Sequence, residues 1–213
     1  MYYLPYATPA RVLGHYAVAQ KSGSIVNSTL LAAGHLARIR WTDSSALCVL
    51  MRIKVGITIV GAVTIALEQA FRAIVVRGFT VDFTTAATNA NMTAISNTGE
   101  MRQSMNPSLM GIAGPGICTT VVMSGQTLTA DSDPFCISPV PGLMATNSGA
   151  AAVILPVGFA SPMITLYEWT ALGQHPVVLA QNEGVVVQNH LAGAASGTFI
   201  LYVQWEWAEV MAV

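Results

Sequence analysis

The chain has 213 residues and a formal net charge of -1, with 9% charged and 53% hydrophobic side chains. An ordinary soluble domain carries roughly 25% charged residues, and a monomer of this mass would expose about 9,400 Å², or one charge per roughly 500 Å², so a freely diffusing monomer is disfavoured. The same composition excludes intrinsic disorder, which needs low hydrophobicity and high charge, and 9 Lys+Arg against 10 Asp+Glu argues against a nucleic-acid-binding module.

Residues 1–27 read as an irregular N-terminal arm, with Pro5, Pro9, Gly14 and Gly23 breaking any pattern. Tyr2, Tyr3, Tyr6 and Tyr16 would anchor such an arm on a neighbour or on the chain's own body. Residues 28–213 read as one domain. Residues 35–41 alternate, with His35, Ala37, Ile39 and Trp41 on one face and Leu36, Arg38 and Arg40 on the other. After the turn Thr42-Asp43-Ser44-Ser45, alternation resumes with Leu47, Val49, Met51, Ile53 and Val55 facing in and Arg52 and Lys54 facing out. Two adjacent strands would then each present two cations. Residues 62–83 read as strand, an irregular join and strand again.

Residues 84–106 are polar and read as a long loop, a length that usually serves contacts. Met92, Met101, Met105 and Met110 in and beside it suit an adaptable contact surface. Strands are expected at 117–123, 151–155 and 163–169, and a turn at Asp131-Ser132-Asp133-Pro134. Residues 177–189 read as a hairpin turning at Gln181-Asn182-Glu183-Gly184, with Gly184 at positive φ. Residues 198–210 alternate, placing Phe199, Leu201, Val203, Trp205 and Trp207 on one side and Ile200, Tyr202, Gln204, Glu206 and Ala208 on the other. So many short strands with regular turn signals predict an all-β antiparallel sandwich or barrel.

No membrane span is expected. The best apolar stretch, 55–67, lies between Lys54 and Glu68 and falls short of about 18 residues. Residues 1–11 lack a basic region followed by an apolar one, so no signal peptide is expected.

The residue types that carry chemistry are sparse. Cys48, Cys118 and Cys136 have neither CxxC spacing nor a nearby histidine and read as buried small side chains. His15, His35, His175 and His190 form no ligand pair, so no metal is expected; His35 reads as a core histidine. Asp131 and Asp133 read as turn caps. Glu206 and Glu209 with Glu168 are weighed as a glycosidase-type pair, but Glu206 sits on a strand between two tryptophans and reads as solvated or interface-paired. No GxSxG elbow occurs, and the glycine-rich 111–116 has no Lys-Ser/Thr after it. No catalytic residue and no cofactor is therefore assigned. Trp169, Trp205 and Trp207 are weighed as a sugar-stacking platform, as core and as subunit interface. Core plus subunit interface is preferred for this aromatic group, which Tyr167 and Tyr202 join, with Trp205 and Trp207 named as contact residues.

Several segments resemble a family of tailed-bacteriophage virion proteins. They are Ala33-Gly-His-Leu-Ala-Arg-Ile-Arg-Trp41, Arg77-Gly-Phe-Thr-Val81, Met101-Arg-Gln-Ser-Met-Asn-Pro-Ser-Leu109, Pro176-Val-Val-Leu-Ala-Gln-Asn-Glu-Gly184 and Trp205-Glu-Trp-Ala-Glu-Val210. They follow the family's order from about residue 10 to the C-terminus. The resemblance implies a jelly-roll-like sandwich, a homotrimer that binds the major capsid protein on the outside of the head as a cement or decoration protein. It would be made in the host bacterial cytoplasm and have no enzymatic role. The alternative is a head-fibre or tail-associated sandwich module that binds host surface glycans. The expected contact residues are Tyr2, Tyr3, Tyr6, Met101, Met105, Trp205 and Trp207.

Overall fold

The computed structural model describes residues 12–65, 70–84, 87–88, 99–100, 107–110, 114–139, 153–155, 158, 160–170, 175–193 and 196–211. Among these, β-branched and aromatic residues at alternating positions make fourteen strands and no α-helix. In chain order the strands are β1 (Val12–Val26), β2 (His35–Arg40), β3 (Ala46–Ile65), β4 (Ala70–Val81), β5 (Ala87–Thr88), β6 (Gly99–Glu100) and β7 (Pro115–Cys118). There follow β8 (Thr127–Ala130), β9 (Cys136–Pro139), β10 (Val153–Leu155), β11 (Ile164–Glu168), β12 (Val177–Leu179), β13 (Gly184–Asn189) and β14 (Ser196–Met211).

The strands form two antiparallel sheets packed face to face. The first runs β10-β3-β14-β1-β6, with β11 and β12 also on β3; the second runs β5-β7-β2-β13-β4-β8, with β9 also on β4. The chain changes sheet at each step from β1 through β4, so β14, last in sequence, lies between β1 and β3. Its inward row of Phe199, Leu201, Val203, Trp205 and Trp207 is at most 2% exposed, as the alternation predicts. In the same core cluster are Ile53, Val55, Ile57 and Ile59 of the neighbouring β3 and, from the second sheet, Ile39, Val76 and Val185–Val187. Each buried indole N–H has an acceptor: Trp205 donates to Gln20 Oε1, Trp207 to Glu209 Oε1 and Trp41 to the Ala46 carbonyl.

Several expectations are corrected here. Residues 12–26 are not part of an arm. They form β1, and Tyr16 stacks on Trp207 at 5.9 Å in the core. The strand escaped notice because its inward row includes polar Gln20 and Ser22, both buried. Ser22 Oγ accepts the Leu201 N–H at 2.9 Å, where a bulge between Lys21 and Ser24 breaks the ladder. Leu47, Val49 and Met51 point outward, not inward. Opposite Glu206 and Trp207, β3 carries one extra residue, Met51, between Arg52 and Leu50, which reverses the phase so that Cys48 and Leu50 face the core. Their outward neighbours Val49, Ala208 and Val210 form a second small cluster under Trp169. The strands β2 and β3 are not adjacent but lie in different sheets. The expected strand at 117–123 ends at Cys118, and only Met123 bridges back, to His35.

The expected hairpin at 177–189 is a corner between the sheets: β12 pairs with β3, and β13 with β2 and β4. Asn182, not Gly184, takes the positive φ, at 64°. Gly184 is needed for a different reason. A Cβ there would lie 2.3 Å from the Ile39 carbonyl oxygen and 2.7 Å from the Phe79 ring. We expect Gly184→Ala to destabilise the fold by about 1–3 kcal/mol, read as a lower urea midpoint at unchanged slope.

Candidate interaction surfaces

The first sheet's outward face is where the few exposed charges of β3 and β14 meet. Arg52 of β3 and Glu206 of β14 are register partners, and the Arg52 guanidinium holds both Glu206 oxygens at 2.7 and 2.8 Å. Arg52 also reaches Glu168 of β11 at 3.4 Å, and Gln204 donates to Glu206 at 2.9 Å. Glu206 and Glu168, weighed as part of a catalytic pair, are thus both engaged by one cation. Glu206, expected to be solvated or interface-paired, is paired with Arg52 within the chain.

Beside this ion cluster, a groove of about 350 Å³ opens on the same sheet. Gly56 and Ala19 line it together with Tyr202, Met163, Thr58, Gln204 and Ser161. A Cβ on Gly56 would lie 2.7 Å from the Met163 sulfur, so the glycine lets the β11 approach close over β3. The groove contains no carboxylate, imidazole, thiol or cation. Its polar groups are the hydroxyls of Thr58, Ser161 and Tyr202 and the amides of Gln20 and Gln204.

On the second sheet one cation is buried and others are engaged nearer the surface. Arg38, 1% exposed, pairs with Asp82 at 2.7 Å and donates to the Gly114 carbonyl at 2.9 Å. A Cβ on Gly116 would collide with its guanidinium, so this glycine makes room for the buried cation. Arg40 donates to the Phe79 carbonyl and Asn182 Oδ1 and lies 5.8 Å over the Phe79 ring. Arg77 joins Asp131 at 3.2 Å and Glu183 at 3.6 Å, so Asp131 is an ion-pair partner and not simply a turn cap. Asp43 does cap its turn, accepting the N–H groups of Ser45 and Ala46.

Glu209 was not singled out beyond its place beside Glu206, yet it is fully buried on the inward row. It accepts the Ser108 hydroxyl, the Leu109 N–H at 2.9 Å and the Trp207 indole N–H at 3.0 Å. It therefore fastens residues 107–110 to the sheet. Its only sequence signal is that it occupies the next position of the row after Trp207. Glu209→Ala would orphan three buried donors, and we expect a loss of about 3 kcal/mol or more in denaturant melts.

The cysteines and histidines that are described sit as follows. Cys48, Cys118 and Cys136 are free thiols. Burial raises all three, Cys118 and Cys136 to about 12, and the Glu209 charge raises Cys48 further. All stay protonated at neutral pH. Among the described residues, no group of three His, Cys, Asp or Glu is placed to hold a metal ion. His175 is exposed. His35 packs edge-on to Phe83 at 5.1 Å, with Gln126 Nε2 3.3 Å from its Nδ1.

Of the expected contact residues, Trp205 and Trp207 are corrected: both are 0% exposed within a single chain and no second copy can touch them. Sequence position alone did not separate a core aromatic from an interface one. Trp169, at 4%, is also covered, so no tryptophan of β14 or beside β11 forms a sugar-stacking platform. Tyr2, Tyr3, Tyr6, Met101 and Met105 lie outside the described residues. No protein-family model and no curated protein matches this chain.

Burial, then the neighbouring Arg72 charge, holds the His35 imidazole down at about 4. Its folded value lies below its ordinary 6.5, so the unfolded chain takes up the proton first. The stability is whole above pH 6.5 and falls as the pH drops from there towards 4. We expect His35→Gln to lessen the stability difference between pH 7 and pH 4.5 by about 2 kcal/mol, measured by urea titration at both values.

Proposed function

We propose that the chain is a non-enzymatic structural protein of a bacteriophage virion, a homotrimer on the outside of the head that cements the shell by binding its major capsid protein. The observation that carries this reading is the internal settlement of charge. Arg38, Arg52 and Arg77 are paired with Asp82, Glu206, Glu168, Asp131 and Glu183 within the chain, and Glu209 is buried. An exterior drawn from a chain with only 9% charged residues has little to desolvate when it meets another protein. Many copies, each adding a modest neutral interface, together oppose the outward pressure of packed DNA.

The strand order supports a jelly roll as the finer description. Neighbours β1, β14 and β3 in one sheet and β2, β13 and β4 in the other come from opposite ends of the chain. Two nested Greek keys interleave strands in this way, and capsid domains are among the proteins that use them. The groove beside Arg52 and the outward face around it give the sandwich a side that fits contact with a neighbour. The glycan-binding alternative loses its tryptophans to the core.

Two measurements test the reading. Sedimentation velocity of the full chain is expected to give three times the 22.4 kDa chain mass, changing little between about 0.05 and 0.5 M salt because the contacts are uncharged. Quantitative mass spectrometry of purified virions is expected to find hundreds of copies per particle. A single-chain species, together with tens of copies or fewer, would overturn it.

A further inference from the structure

Residues 119–126 form a strap on the second sheet. They connect β7 to β8, the strands on either side of β2-β13-β4. No Lys, Arg, Asp, Glu or His occurs among them. The Val26 N–H donates to the Thr120 carbonyl at 3.3 Å, and the Thr84 N–H to the Ser124 carbonyl at 3.1 Å. A Cβ on Gly34 would collide with Val122, so that glycine lets the strap lie close to the start of β2. Gly125, at φ 77°, turns the chain toward β8. Met123 of the strap is 2% exposed, and Phe83, beside the Thr84 that bonds Ser124, is 6% exposed.

The middle of the strap is latched to His35. The Met123 N–H donates to the His35 carbonyl at 2.8 Å, and Gln126 Nε2 lies 3.3 Å from His35 Nδ1. An amide nitrogen can only donate, so this bond needs Nδ1 as an unprotonated acceptor. Gln188 of β13 is the register partner of both His35 and Arg72, and Arg72 Nε donates to Gln188 Oε1 at 2.9 Å. A cation thus stands one strand beyond Gln188 in the same row as the imidazole, and a proton on His35 would face it. Turning the Gln126 amide over would let its oxygen accept from a protonated ring. The Arg72 charge and the lost hydration would remain. The strap and β13 bring no ionisable group to the ring, and Asp82, next to Phe83, is engaged by Arg38. His190 follows β13, with its backbone N–H on the Ala70 carbonyl. Glu68, in the connection from β3 to β4, lies outside the described residues.

We propose that residues 119–126 are an acid-released strap, latched on His35, which lifts off the second sheet while the two sheets stay folded. The location of the opening follows from how the two sides of the ring are held. The strap is fastened by isolated bonds, whereas β13 is paired along both edges, with β2 and with β4. Weakly bonded segments open at a lower free energy than the core. Lifting the strap alone brings water to the imidazole, so charging His35 needs no strand to move. Opening uncovers Met123 and Phe83, an apolar patch that is covered at neutral pH. A single histidine then ties the exposure of that patch to pH. The proposal is independent of the virion role.

Amide hydrogen exchange of the full chain, read by mass spectrometry at pH 7 and pH 4.5 and scaled to the intrinsic rate at each pH, tests it. The folded imidazole sits at about 4, and an open strap returns it to its ordinary 6.5. The open population is therefore expected to rise about sixtyfold between the two pH values. The amides of 119–126, that of Met123 above all, are expected to lose that much protection and to exchange at least about tenfold faster than those of β14 at both pH values. His35→Gln is expected to make strap protection equal at the two pH values. A strap as well protected as β14 would overturn the proposal, because it would then open only with the whole sandwich. Equal strap protection in the parent at both pH values would also overturn it, as would a His35→Gln chain that keeps the sixtyfold rise. If His35→Gln does not fold, Arg72→Gln decides. With the neighbouring cation gone, the rise is expected to fall to about half or less, and an unchanged rise would overturn the proposal.

Discussion

The last strand holds the molecule together. β14 hydrogen-bonds β1 on one side and β3 on the other, and its inward row supplies two of the three fully buried tryptophans, Trp205 and Trp207. β1 depends on it most, because among the described residues β1 otherwise pairs only with the two-residue β6. The fold therefore closes late and over long range: β1 meets β14 across most of the chain. Such topology is slow to form, since loop closure must precede its contacts. It is also hard to unzip from either terminus once β14 lies between its partners.

That central placement sets the polar structure of the core. Two indoles in one row need acceptors, and the chain supplies Gln20 from β1 and Glu209 from β14 itself. A carboxylate buried at the end of a tryptophan row would be costly alone. Here it gathers three donors and so ties residues 107–110 to the sheet. Arg38 does the same for the second sheet, linking β2 to Asp82 past β4 and to Gly114 before β7. In both places a buried charge joins segments distant in sequence. The apolar rows alone would leave those segments unattached.

These polar joints also explain how far the sequence could be read. The all-β class and the rows of β14 followed from period-two alternation of apolar residues, which a core-facing strand enforces. The same rule missed β1, because Gln20 and Ser22 stand at inward positions for reasons that lie on β14. It misphased the start of β3, because one bulge at Met51 reverses every side chain beyond it. It took the 177–189 corner for a hairpin, since two strands and a turn look alike whether they share a sheet or part. What local pattern cannot hold is a partner's identity. The Arg52 clamp on Glu206 and Glu168 and the groove at Gly56 assemble from strands far apart in the chain.

The distribution of charge then follows from the same economy. With so few ionic groups, each one used as an internal joint is one fewer on the surface. The joints cluster where the chain must turn between sheets at one end, at Arg40, Arg77, Asp131 and Glu183, and midway on the first sheet at Arg52. The opposite end is stitched by neutral groups instead, through Asn189 and backbone carbonyls. The two ends of the sandwich are therefore fastened by different chemistry. Loops fastened by amides need no buried ion of their own, so they are held without the cost of stripping a charge of its hydration.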